Sequence, residues 1–167
     1  MPYSPLAIAN YFLRKGHRAG RDIDPMKIQK LVYFAHGWSL AIYGKPLIDE
    51  RVDAWAYGPV IPSLYHEFKR FGREPIRSPA FQVGPDGSPV PYSIPDNDQE
   101  THDLLNRIWE VYGGFSGIQL SNMTHEEGTP WDQVSKESGG RIVRGTDIPE
   151  QVIKQYFERV GSGVEVS

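Results

Sequence analysis

The passage that most limits how this chain can fold is the run from Asp24 to Gly44. Asp24-Pro25 is a helix start, a side-chain acceptor followed by proline at the first helical position, and Gly44 and Pro46 close the run. Between them Ile28, Leu31, Val32, Ala35, Trp38 and Ile42 recur at the helical period. Tyr33, Phe34 and Leu40 widen the apolar surface beyond one stripe. A helix apolar on several sides must be covered on several sides, so it has to sit at the centre of other elements.

The rest of the chain reads as those elements. Ser4-Pro5 opens a first helix in which Leu6, Ile8, Ala9, Phe12 and Leu13 keep the helical period until Gly16. Val52, Ala54 and Ala56 alternate with Asp53 and Trp55, the pattern of a short strand. In "WAYGPVIPSLYHEF", Gly58-Pro59 fits a sharp turn out of that strand, and Pro62-Ser63 fits entry to a helix that Gly72 stops. Tyr65 and Phe68 share a face of it and would pin it to the core.

Six prolines interrupt the stretch 73–100, and "FQVGPDGSPVPYSI" predicts a small edge hairpin or irregular arm around Gly-Pro-Asp-Gly. Leu104, Leu105, Ile108, Trp109 and Tyr112 restore the helical period up to Gly113-Gly114. Ser116 and Thr129-Pro130 each start a further short helix, and a last one over 148–160 carries Val152, Ile153, Tyr156, Phe157 and Val160. The expectation is a mainly α, compact single domain over 1–160, with six to seven helices and one small β-strand or hairpin element. A frayed tail over 161–167 follows.

Composition then excludes function classes. With no cysteine, disulfides and thiolate metal sites are ruled out. No apolar run approaches the roughly 18 residues of a membrane span, and the N-terminus lacks the basic-then-apolar order of a signal peptide. A soluble cytoplasmic protein without membrane contact is expected. The net charge of −3 argues against nucleic acid as a partner, although Arg14, Lys15, His17, Arg18, Arg21, Lys27 and Lys30 bias the N-terminal third to positive charge. That bias suits an acidic protein partner or phosphates, or a solvated helix face.

No nucleotide-binding glycine loop, zinc helix or serine elbow is present in the sequence. His125-Glu126-Glu127 sets three ligand types side by side, but neighbours on a helix diverge by about 100°, so the triplet cannot close on one ion. Neither a metal nor a cofactor is expected. His125 is either a base paired with Glu126 or Asp53 in a small hydrolase, or a hydrogen-bonded residue near Trp131. Asp49, Glu50 and Asp53 could split acid–base roles, or form a solvated loop beside Arg51 or Lys45.

Taken in order, Lys27 to Phe34, Gly44 to Leu47, Trp55 to Tyr65, Leu120 to His125 and Pro130-Trp131 resemble the signature of the Panacea-domain, SocA-like antitoxins. The likeness spans about residues 5–135, with Ile28 and Phe34 as mild departures. Gln29, Gly58, Pro59, Pro62, Thr124, His125, Pro130 and Trp131 are its signature positions. It implies a helical, non-enzymatic antitoxin that binds and neutralises a cognate protein toxin encoded by an adjacent gene. It implies for some members delivery of that toxin to a cellular protease. Trp, Tyr and charged groups make the usual binding anchors, so Lys27, Lys30, Tyr33, Trp55, Tyr57 and Tyr65 are the expected partner-binding residues.

Overall fold

Helix α2, Pro25–Tyr43, is the axis of the structure. The computed structural model describes the chain over 2–143 and 145–166, with side chains through 161. Asp24 accepts a hydrogen bond from the Lys27 amide at 2.8 Å, and left-handed Gly44 closes the last turn against Leu40. Every residue from Lys27 to Gly37 is buried, as an all-round apolar surface requires. Ile42 and Tyr43 instead turn to solvent, because the final turn of α2 extends past the core.

Around this axis pack α1 (Pro5–Ala19), α3 (Pro62–Phe68), α4 (Gln99–Tyr112), α5 (Gly117–His125) and α7 (Glu150–Val166). A sixth outer helix, α6 (Pro130–Glu137), bridges α5 and α7. The molecule is therefore mainly α, with seven helices among the described residues. Ser116 forms a full capping box with Gln119, and the Thr129 side chain caps α6. None of the helices described is long and apolar enough to cross a membrane.

The α2–α7 contact is aromatic. Phe157 of α7 meets Tyr33, Phe34, Trp38 and Tyr156 edge-on, at centroid distances of 5.1–6.0 Å. Phe34 also stacks on Tyr112 of α4 at 4.3 Å. Gly37 makes the approach possible, since a Cβ there would stand 2.2 Å from the Phe157 ring.

Three expectations are corrected. The first helix does not stop at Gly16 but continues to Ala19, with left-handed Gly20 as its cap. Gly16 is needed for proximity: a Cβ would lie 2.7 Å from the Arg21 carbonyl oxygen and 2.8 Å from Ile23, where the chain doubles back. Second, Gly58-Pro59 is not the turn. Strands β1 (Val52–Trp55) and β2 (Gly58–Val60) pair antiparallel, Trp55 opposite Gly58, so Ala56-Tyr57 forms the tip. Third, β1 also pairs with a strand the sequence did not announce, here labelled β5 (Thr146–Ile148), in a sheet of order β2-β1-β5. Pro59 is accommodated because β2 lies at an edge.

The proline-rich arm is the expected hairpin, β3 (Phe81–Val83) against β4 (Pro89–Pro91). Asn10 of α1 holds it at both strands, donating to the Ala80 and Tyr92 carbonyls at 2.9 Å and accepting from the Ala80 amide at 2.8 Å. Helix α7 begins at Glu150 and is carried through Val166. The side chains of the expected tail beyond 161 lie outside the described residues.

Candidate binding surface

The β1–β2 hairpin is held from several sides, in each case by a polar side chain reaching its backbone. From α2, Gln29 donates to the Ile61 carbonyl at 3.0 Å and accepts from the Ile61 amide at 2.9 Å, as a neighbouring strand would. One residue on, the Lys30 ammonium donates to the Pro59 carbonyl at 2.9 Å. From α6, the Trp131 indole N–H donates to the Trp55 carbonyl at 2.7 Å. Such bonds satisfy backbone groups that a short edge strand would otherwise leave unpaired away from water.

Thr124 and His125 of α5 complete the enclosure. His125 donates through Nδ1 to the Ser121 carbonyl at 2.7 Å, which fixes the proton on that nitrogen because a carbonyl only accepts. Its ring lies 4.4 Å from that of Trp131. Thr124 donates to the Ser121 carbonyl, and Thr129 in turn donates to the Thr124 carbonyl. Gly58 sits against this wall with φ +116°; a Cβ there would lie 3.0 Å from His125, 3.1 Å from the Lys30 nitrogen and 3.2 Å from the Thr124 hydroxyl. Pro62 and Pro130 occupy the first turns of α3 and α6. Of the eight signature residues, Gly58 and Pro59 thus lie in the hairpin, Gln29, Thr124, His125 and Trp131 stand against it, and Pro62 and Pro130 open the helices α3 and α6.

The expected partner-binding residues divide. Lys27, Lys30 and Tyr33 are buried, at 6%, 3% and 2% exposure, so they do not form an outer contact face. The reason is local: Lys27 donates to the Gly113 carbonyl at 2.7 Å and lies over the Trp109 ring, while Lys30 has Pro59. Burial pulls the Lys30 ammonium down to about 7, and burial together with nearby Arg21 lowers that of Lys27. Tyr33 packs against Phe34 and Phe157, and burial raises its phenol.

Trp55, Tyr57 and Tyr65 remain at the surface. Tyr57, at the hairpin tip, is 80% exposed, and Tyr65 is 41% exposed. Trp55 is half-buried and meets Tyr65 edge-on at 4.8 Å, with Lys69 over the other ring's face at 5.9 Å. Tyr65 is therefore a surface residue, and Leu64 and Phe68 pin α3 to the core.

Two of the three candidate carboxylates, Glu50 and Asp53, have structural partners. Glu50 accepts from the Ser63 amide at 2.8 Å and so caps α3, whose own N-cap residue, Ile61, has no acceptor side chain. Asp53 pairs with Arg51 at 2.9 Å. His125 meets a carbonyl, as the hydrogen-bonded reading of that residue had it. Among the described residues no group of three His, Asp or Glu stands where it could hold a metal ion. The sequence pattern missed the Trp131–Trp55 bond and the Gln29 clamp. The signal for the second was present, since a glutamine inside an all-round apolar helix must find internal partners.

A family model described as antitoxin SocA-like, Panacea domain, matches residues 28–132. The chain belongs to this family. Antitoxin SocA of Caulobacter vibrioides (strain NA1000 / CB15N) is 33% identical over 151 residues, covering 90% of this chain and 80% of the relative. No solved structure matches. The matched Panacea segment runs from α2 into the start of α6, so it contains the hairpin and every signature residue that braces it.

Proposed function

We propose that this Panacea-domain protein neutralises a cognate protein toxin, encoded by an adjacent gene, by binding it directly through the surface of Trp55, Tyr57 and Tyr65. The observation that carries the reading is a large aromatic side chain, Tyr57, exposed on a tip whose flanking backbone is fixed by Gln29, Lys30 and Trp131. Exposed aromatics on rigid backbone make strong binding anchors, because little side-chain or loop freedom is lost on association. Membership of an antitoxin family supports the class of partner. In this reading the protein works in the cytoplasm and performs no catalysis, and His125 serves only to wall in Gly58.

Co-expression with the product of the neighbouring reading frame tests it. The two proteins are expected to co-purify and growth to be rescued, and Tyr57→Arg is expected to abolish both. The absence of complex and rescue with the unaltered chain would overturn the reading, as would full rescue by Tyr57→Arg. The same cultures separate two outcomes of binding: the toxin level holds if its surface is masked, and falls if the complex is delivered to a cellular protease.

A further inference from the structure

A second feature shares no residue with the hairpin. Between α1 and the arm runs a cleft of about 730 Å³, within the range of ligand-sized sites. Arg14 and His17, three residues apart on α1, share one face of that helix, Arg21 follows just past its Gly20 cap, and Arg77 comes from the segment before the arm. Leu13, Ile76 and Tyr92 supply apolar lining, and among the described residues Asp22 is the single carboxylate lining the cleft. Arg14 lies over Tyr11 and Arg21 over Trp109, but among the described residues none of the three guanidinium groups is ion-paired. On a chain whose net charge is −3, this is a concentration of positive charge against the overall balance.

The walls are also fixed. Asn10 ties both strands of the arm to α1, and the Ile76 amide donates to the Ile23 carbonyl at 2.8 Å, closing the other end. The opening is therefore built into the fold and needs no rearrangement to admit a ligand.

We propose that this cleft docks an extended acidic segment of a partner protein, its carboxylates on Arg14, Arg21 and Arg77 and an apolar side chain against Leu13, Ile76 and Tyr92. Charge complementarity requires an anionic occupant, and planar guanidinium groups bind carboxylates in a two-point fashion. The apolar lining requires that the occupant also carry hydrocarbon. Nucleic acid fits less well, since among the described residues Tyr92 is the one Phe, Tyr or Trp lining the cleft and strand binding uses successive stacking platforms.

The test uses the whole protein and a fluorescein-labelled dodecapeptide repeating Glu-Glu-Leu. Anisotropy should show saturable binding that weakens steeply with salt. Replacing each glutamate by glutamine, or each leucine by serine, should weaken it at least tenfold. The double variant Arg14→Glu, Arg77→Glu should abolish binding, whereas Arg107→Glu, at an exposed arginine paired with Glu110 elsewhere, should leave it unchanged. Asn10→Ala keeps every charge but releases the arm, and should weaken binding while circular dichroism confirms the fold. The proposal is overturned if charge reversal in the cleft has no effect, if Arg107→Glu weakens binding equally, or if a labelled 12-nucleotide single-stranded DNA binds more tightly than the peptide.

Discussion

Lys30 shows how much one residue can be asked to do. Its ammonium is buried with one hydrogen-bond acceptor, the Pro59 carbonyl, and burial brings it from 10.5 to about 7. Between those values the unfolded chain binds more protons than the folded one, so this group makes stability rise with pH across that window. Below the lower value the penalty for burying the charge is fully present. Lys30→Met removes the slope, so unfolding free energies of wild type and variant should converge or cross by about 2 kcal/mol between pH 7 and 9. Urea melts at both pH values measure it; parallel profiles would mean that water reaches the amine. Gly58→Ala tests the same wall from the other side. The positive φ and three neighbours near 3 Å predict a loss of more than about 2 kcal/mol in the same melts. The sequence marked Lys27 and Lys30 as a shared face but not as an interior one. Charge suggests solvent by default, and only the facing carbonyls of Gly113 and Pro59, 86 and 29 residues away, reverse it.

At the scale of elements, helices governed by local signals were legible and strands governed by distant partners were not. Caps at Ser4, Asp24, Ser116 and Thr129 each lie beside the helix they start, so the helix starts could be read within a few residues. Gly16 misled because a glycine wanted for close approach looks the same in sequence as one that ends a helix. Strand β5 is three residues long and exists only because β1 lies beside it, a partner more than 90 residues earlier. The hairpin turn was displaced by two residues because Gly58-Pro59 carries the strongest turn signal, whereas here Pro59 serves an edge strand. Packing between elements gives a prediction of its own at Gly37. Alanine would favour the helix by up to about 1 kcal/mol, but its Cβ would overlap the Phe157 ring. Gly37→Ala should therefore destabilise the fold by about 1–3 kcal/mol net. Adding Phe157→Leu should cost less in that background than in the wild type, and a double-mutant cycle of thermal melts measures the difference. An additive pair would mean that α2 and α7 do not meet at Gly37.

For the molecule as a whole, the central helix and the hairpin form one device. Helix α2 is buried in the other helices, and Gln29 and Lys30 extend from that buried axis to the hairpin backbone. Trp131 reaches the same hairpin from α6, a helix that itself packs on α7 and on the β1–β5 edge. The tip is thus referenced to the core by two independent routes, while Tyr57 itself contributes little to folding because most of its surface stays in water. Binding and stability should then separate at the tip and be coupled behind it. Tyr57→Ala should leave the melting temperature within about 1 °C of wild type, since exposed substitutions are near neutral, while weakening toxin capture at least tenfold, as loss of a central aromatic anchor does. Trp131→Phe keeps the ring but removes the donor to the Trp55 carbonyl, which should cost about 1–3 kcal/mol of stability. It should weaken capture less than Tyr57→Ala does, because the anchor persists on a less constrained strand. Melting curves and titration calorimetry on the three proteins distinguish the cases. If Tyr57→Ala lost stability and binding together, the tip would be part of the core, and the binding surface would have to be sought elsewhere on the molecule.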